Sequence, residues 1–288
     1  MTEFKILVTS QKGGVGKSTL SANLAAFMQK KGYQTALLDY DLHGSSSKWL
    51  LGAPQIGITV QHSPLPLEVG GNRPAHEAKH RLKRLCYTNN LVVADLTWSD
   101  SITSDLLFEF DLVIVPTSVS EIELNATADF LERFKWVFET TLRKPPKLLL
   151  SPTRVHTEQV TDSTLFKQYF PVRLMLAPAI LEGQSARELY KRGFIFDRND
   201  ACGVSFSDFG HAVEVLAKEA QQSKTDESSN ARMQSLLKLA ARYEETKLPP
   251  LPPIQIAQTA TGKQNAAPPA TDVNKTTNIK RSELFKWF

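Results

Sequence analysis

Short, almost continuously apolar runs recur along the chain at residues 4–9, 35–39, 91–95, 112–116, 147–150 and 172–176. None alternates with a period of two, so each predicts a strand buried on both faces. Helical spacing lies between them. Leu20, Leu24, Phe27 and Met28 form one stripe, which Gly32 ends; Thr127, Phe130, Leu131, Phe134, Val137 and Phe138 form another. Further helices are predicted over 184–192, 207–222 and 230–246, and the Gly- and Pro-containing stretch 52–74 reads as a long irregular insertion. Strands alternating with helices imply βαβ units. The expected fold is α/β, a doubly wound, mostly parallel sheet with helices on both faces.

The pattern stops near Lys247. Leu-Pro-Pro-Leu-Pro-Pro gives way to Thr, Ala, Gln and Asn, a composition expected of an extended, disordered linker. The expected organisation is a globular domain over 1–246 and a disordered tail over 247–288. Charge follows the same division. Six of the 34 Lys and Arg and two of the 30 Asp and Glu lie beyond Glu245, so the net charge of +4 belongs to the tail and the body is balanced. A balanced body carries no bulk excess to draw it onto nucleic acid. Two cysteines, Cys86 and Cys202, exclude a disulfide scaffold and a four-cysteine metal site within one chain. The sequence holds no run of about 18 apolar residues and opens without a signal-peptide pattern, which predicts a cytoplasmic protein.

The sharpest signal is Gln11-Lys12-Gly13-Gly14-Val15-Gly16-Lys17-Ser18-Thr19, between the first predicted strand and the first helix. Glycines let backbone N–H groups curl around phosphate oxygens, and the helix N-terminus aims its dipole at the anion. Lys17 is placed to reach the β- and γ-phosphates of a nucleotide and the Ser18 hydroxyl to ligate Mg²⁺. Two acidic strand ends follow, Asp39-Tyr40-Asp41 and Asp95, where parallel strands face a ligand crevice.

The loop departs from G-x-x-x-x-G-K-[ST]: Gln11 stands at the first glycine, and a second lysine, Lys12, lies inside the loop. In this form it resembles the K-G-G-x-G-K-[ST] loop of the ParA/MinD superfamily of P-loop ATPases. Asp39-Tyr40-Asp41-Leu42-His43-Gly44-Ser45 through Trp49 is similar to that family's D-x-D-P-Q-G-S-x-x-x-W, with Leu42 and His43 in place of Pro and Gln, a form nearer the ParA-like branch. The strand ending in Asp95 looks like a Walker B strand, although D-x-P-P is replaced by Asp95-Leu96-Thr97-Trp98.

The resemblance covers roughly residues 5–222 and is strongest in the first hundred. It implies an ATPase that uses ATP and Mg²⁺ and forms a homodimer on ATP binding, with Lys12 reaching the partner's nucleotide. Lys12, Lys17 and Asp41 are then catalytic, Asp41 orienting the attacking water. Lys12, Gly13, Gly14, Val15, Gly16, Lys17, Ser18, Thr19 and Pro178 bind nucleotide, Pro178 from the base-side loop, and Ser18, Asp39 and Asp95 serve the metal. The implied role is positioning or partitioning a cargo such as a plasmid, a chromosome region or a large complex. A partner protein stimulates hydrolysis, and non-specific DNA is a candidate surface.

Other signals carry less. His76-Glu77-Ala78-Lys79-His80 has the spacing of a zinc helix, but its Arg- and Lys-rich flanks predict a solvated basic helix. Cys86 is expected to face the core and Cys202 to sit in a turn. The terminal stretch 279–288, ending Leu-Phe-Lys-Trp-Phe, could dock on a protein partner or lie on an anionic membrane. Three further readings therefore stand beside the partitioning ATPase: a MinD-like membrane-cycling regulator, a nucleotide-binding scaffold with little turnover, and an electron-transfer ATPase, which would need cluster cysteines.

Overall fold

The computed structural model describes residues 3–66, 72–159 and 168–245. Seven strands form one sheet: β1 (Phe4–Ser10), β2 (Thr35–Asp39), β3 (Thr59–His62), β4 (Leu91–Thr97), β5 (Leu112–Thr117), β6 (Lys147–Pro152) and β7 (Met175–Leu176). Their order is β3-β2-β4-β1-β5-β6-β7, and every pairing is parallel. The fold is thus the expected α/β sheet. The central strands are mostly apolar because helices cover both their faces, and polar residues gather at their C-terminal ends.

The helices are α1 (Lys17–Lys30), α2 (Ser45–Gly52), α3 (Arg73–Cys86), α4 (Glu121–Arg133), α5 (Lys135–Glu139), α6 (Gln184–Glu188) and α7 (Ala201–Glu245). Two cores result, one on each face of the sheet. Leu24, Phe27, Met28, Trp49, Phe206 and Phe209 belong to one; Ala78, Leu82, Trp98, Phe130, Leu131 and Val137 belong to the other. Burying each large aliphatic or aromatic side chain of these cores contributes roughly 1.5–3 kcal/mol.

Four expectations change. The stretch 52–74 is not all irregular: it contains β3, an edge strand whose half-exposed residues carry too weak an apolar signal to read. The last strand shrinks to Met175–Leu176. The two late helices join into one, because the polar run at 223–229 contains no Gly or Pro to interrupt it. Cys202 does not sit in a turn between elements but in the first turn of that helix, where it is buried.

The compact unit that holds the sheet runs to Leu237. The proposed tail, 247–288, and its terminal peptide, 279–288, lie outside the described residues. Among the described residues no helix is long and apolar enough to cross a membrane.

Candidate functional site

Register brings the acids together. Asp39 at the end of β2 pairs with Asp95 in β4, and Val8 of β1 pairs with Asp95 on the other side. The loop leaving β1 therefore starts beside both carboxylates, at the C-terminal edge of the sheet where crossover topology leaves a crevice.

The loop itself runs from the end of β1 into α1. Gly14 and Gly16 adopt φ of +86° and +85°, a left-handed backbone that favours glycine. A Cβ on Gly13 or Gly14 would meet nothing within 4 Å, so this side of the loop opens onto a cradle rather than packing. Side chains from β6 and beyond brace the loop from behind: Thr153 Oγ1 donates to the Val15 carbonyl at 2.8 Å and Arg154 Nη1 to the Gly14 carbonyl at 3.0 Å. Arg154 is itself left-handed, with φ of 56°.

Lys17 opens α1 and is buried. Its ammonium donates to Asp95 Oδ1 at 2.6 Å and to Asp41 Oδ2. Burial alone would lower the lysine pKa, but Asp95 and Asp41 outweigh it and hold Lys17 above its ordinary value. Burial pushes the Asp95 carboxyl upward, and the charge of Lys17 opposes this. Asp95 Oδ2 is buried and has no hydrogen-bond partner among the described residues, an orphaned acceptor beside Lys17. That free oxygen, the half-buried Ser18 at the start of α1 and the open glycine cradle form a donor set that suits Mg²⁺ and phosphate.

Asp41 and Asp39 have different surroundings. Asp41 Oδ1 accepts from the Thr97 N–H at 2.6 Å and its Oδ2 from Thr97 Oγ1 at 2.8 Å, while His62 Nε2 lies 2.8 Å from the Asp41 carbonyl. Asp39 is fully buried and turned to α2, where its Oδ2 accepts from Ser46 Oγ, Ser47 N and Ser47 Oγ at 2.8–2.9 Å. Its Oδ1 accepts from the Asp41 N–H at 3.1 Å. Asp39 thus anchors the N-terminus of α2 and the turn that carries Asp41.

The remaining residues separate. Lys12 is exposed on the loop and makes no ion pair with the described residues. Pro178 is exposed on the segment after β7. A cavity of about 240 Å³ does adjoin the loop, but Leu20, Thr153, Arg154, Ile180, Ile195 and Phe206 are among its walls and Pro178 is not. Sequence reading missed Thr97, Thr153, Arg154 and His62. Only Thr97 had a signal, as the residue standing where the family pattern has proline. His76 and His80 of α3 are both exposed, and no group of three or more His, Cys, Asp or Glu side chains that could hold a metal ion occurs among the described residues.

A ParA family model, described as NUBPL iron-transfer P-loop NTPase, matches residues 2–73. A solved putative plasmid partition protein of Borrelia burgdorferi B31 bound to AMPPNP superposes with a TM-score of 0.58 at 20% identity, over 76% of this chain and all of that one. The N-terminal quarter of the chain thus matches a ParA family model, and the chain shares the fold of that partition protein. An iron-sulfur cluster carrier protein of Methanococcus maripaludis is 50% identical over 54 residues, 19% of each chain. This chain therefore spans about a fifth of the length of that carrier. A longer alignment, 25% identical over 201 residues, joins it to the maintenance of carboxysome distribution protein A of Halothiobacillus neapolitanus and covers 66% of this chain and 89% of that protein.

Proposed function

We propose that the chain is a ParA-type ATPase that dimerises on ATP and positions or partitions a cargo, its hydrolysis stimulated by a partner protein. The observation that carries this is the convergence of Lys17, Asp41 and Asp95 beneath an open glycine cradle. A lysine in this place supplies positive charge to the β- and γ-phosphates, which matches phosphoryl transfer by positioning and electrostatics. Ser18 and Asp95 Oδ2 would hold Mg²⁺, which would supply neutralisation of phosphate charge. The mostly apolar cavity beside the loop receives the nucleoside. Asp41 orients the water. Lys12, exposed and uncommitted among the described residues, reaches a second subunit's nucleotide.

The domain organisation of 1–246 with a linking tail over 247–288 belongs to this proposal, as does work in the cytoplasm on a nucleoid, membrane or protein surface. Positioning is favoured over cluster transfer. Residues 2–73, which match the iron-transfer model, contain no cysteine, whereas the two-thirds-length alignment is to a distribution protein.

DNA co-sedimentation at moderate salt, with ATP and with ADP, tests the reading alongside light scattering for dimerisation. Binding and dimerisation only with ATP are expected. ATP-dependent dimers that ignore DNA would move the working surface to a membrane or a protein. Absence of nucleotide binding would overturn the proposal.

A further inference from the structure

We propose that Thr97 is a positioning residue for Asp41, a duty performed by the two bonds it makes to that carboxylate. The inference rests on the nucleotide-hydrolysing reading of the site above. Asp41 sits on the turn after β2, just past the last residue of its strand, and such a turn does not fix a side chain by itself. Two of its carboxylate contacts come from a single residue, the Thr97 N–H at 2.6 Å to Oδ1 and Oγ1 at 2.8 Å to Oδ2. A two-point grip defines both the place and the plane of a carboxylate, as a single bond cannot.

Thr97 is itself held rigidly. It ends β4 in register with Ser10 of β1, so the strand continues two residues past Asp95. The next N–H, that of Trp98, donates to the Ser10 carbonyl at 3.0 Å. The Trp98 ring is buried and packs edge-on against Phe134 at 4.9 Å between centroids and against Phe130 at 6.4 Å. The segment after Asp95 is thereby fixed at its backbone and at its next side chain. Lys17 also bonds Asp41 Oδ2. When a phosphate draws that ammonium away, Asp41 loses one contact and keeps the two from Thr97, so its carboxylate stays at the edge of the sheet. A proline at this position has neither N–H nor hydroxyl and could make neither bond.

The test uses the full-length chain and four variants: Thr97→Val, which keeps the shape and the N–H but removes the hydroxyl, Thr97→Ser, which restores it, Asp41→Ala, and the Thr97→Val/Asp41→Ala double variant that closes the melting cycle. Single-turnover hydrolysis of Mg·ATP and equilibrium binding of a fluorescent ATP analogue are measured for each. Thr97→Val should lower kcat about tenfold while changing analogue affinity less than about threefold, because misplacing a positioned group costs rate rather than binding. Thr97→Ser should restore kcat. In nucleotide-free protein, the melting shifts of Thr97→Val and Asp41→Ala should be non-additive, as coupled neighbours are.

Wild-type kcat in Thr97→Val, an equal loss of affinity, a failure of Thr97→Ser to rescue, or additive melting shifts would each overturn the positioning role. A wild-type chain that binds no ATP analogue would instead overturn the nucleotide reading and with it the catalytic part of this inference. The melting cycle would then decide the Thr97–Asp41 coupling alone.

Discussion

The ammonium of Lys17 lies 2.6 Å from Asp95 Oδ1, and both side chains are buried, Lys17 at 6% exposure and Asp95 at 0%. Each compensates the other's desolvation. On the proposed nucleotide-binding reading, a phosphate must compete with Asp41 and Asp95 for this lysine.

Removing the lysine should have two effects. Lys17→Ala should abolish binding of a fluorescent ATP analogue. It should also destabilise the fold by about 3–5 kcal/mol at neutral pH, since Asp95 is left as an uncompensated buried charge. The pH dependence has a definite sign. Burial raises the Asp95 pKa, so its neutral form is favoured in the folded state, and the stability this gives is present in acid and lost as pH rises through the folded value. The deficit of Lys17→Ala should therefore narrow as pH falls, which urea melts at a series of pH values will show.

Lys17 itself contributes on the alkaline side. Its pKa is raised above 10.5, so the stabilisation from its pairing is full below that pH and is lost as pH climbs through the folded value. Wild-type denaturation midpoints should fall above pH 10.5 in a way that Lys17→Ala does not share.

Asp41→Ala should bind ATP and accumulate as a dimer with no phosphate release. Light scattering and a phosphate-release assay check this, and brisk turnover would remove the role given to Asp41. Asp39 should behave differently. Asp39→Asn disrupts three bonds at the start of α2, and loss of such a cap costs about 0.5–2 kcal/mol. Its main effect should appear in melting, with the Mg²⁺ dependence of turnover little altered. A large rise in the Mg²⁺ requirement would return Asp39 to the metal.

Cys86 should be a poor nucleophile. It is half-buried, and burial pushes its thiol pKa up from 9.0 to about 11. Alkylation followed by peptide mass mapping should find Cys86 slow at pH 8 in the folded chain and faster as pH approaches 11. Stability tied to the neutral thiol is full below pH 9.0 and lost as pH rises through about 11.

Trp98→Ala should cost about 3–5 kcal/mol, the range for deleting a buried aromatic ring. Because the indole packs against Phe130 and Phe134 next to Thr97, Trp98→Phe should retain most of both stability and turnover. Chemical denaturation beside a turnover assay separates the two effects.

Much of this protein is dictated locally and so is legible in its sequence. Continuous apolar runs produced β1, β2, β4, β5 and β6, because a strand covered on both faces has no polar side to show. The glycines and Lys17 between β1 and α1 announced the loop, since few other residues tolerate that backbone. Asp39, Asp41 and Asp95 were visible as acids at strand ends. Their division of labour was not. Which oxygen of Asp39 meets α2, which of Asp95 is left without a partner, and how Thr97 grips Asp41 across 56 positions all depend on strand register and on the turn beyond β2. Strand β3 escaped notice because an edge strand half open to water carries little hydrophobic pattern. Pro178 and the cavity beside the loop parted for a similar reason: the chain after β7 is placed by long-range packing, which no local spacing encodes. Sequence alone determined the sheet, the loop and the identity of the acids. Tertiary structure alone decided which of those acids faces the loop, because hydrogen-bond partners far apart in the chain become neighbours only when the strands align.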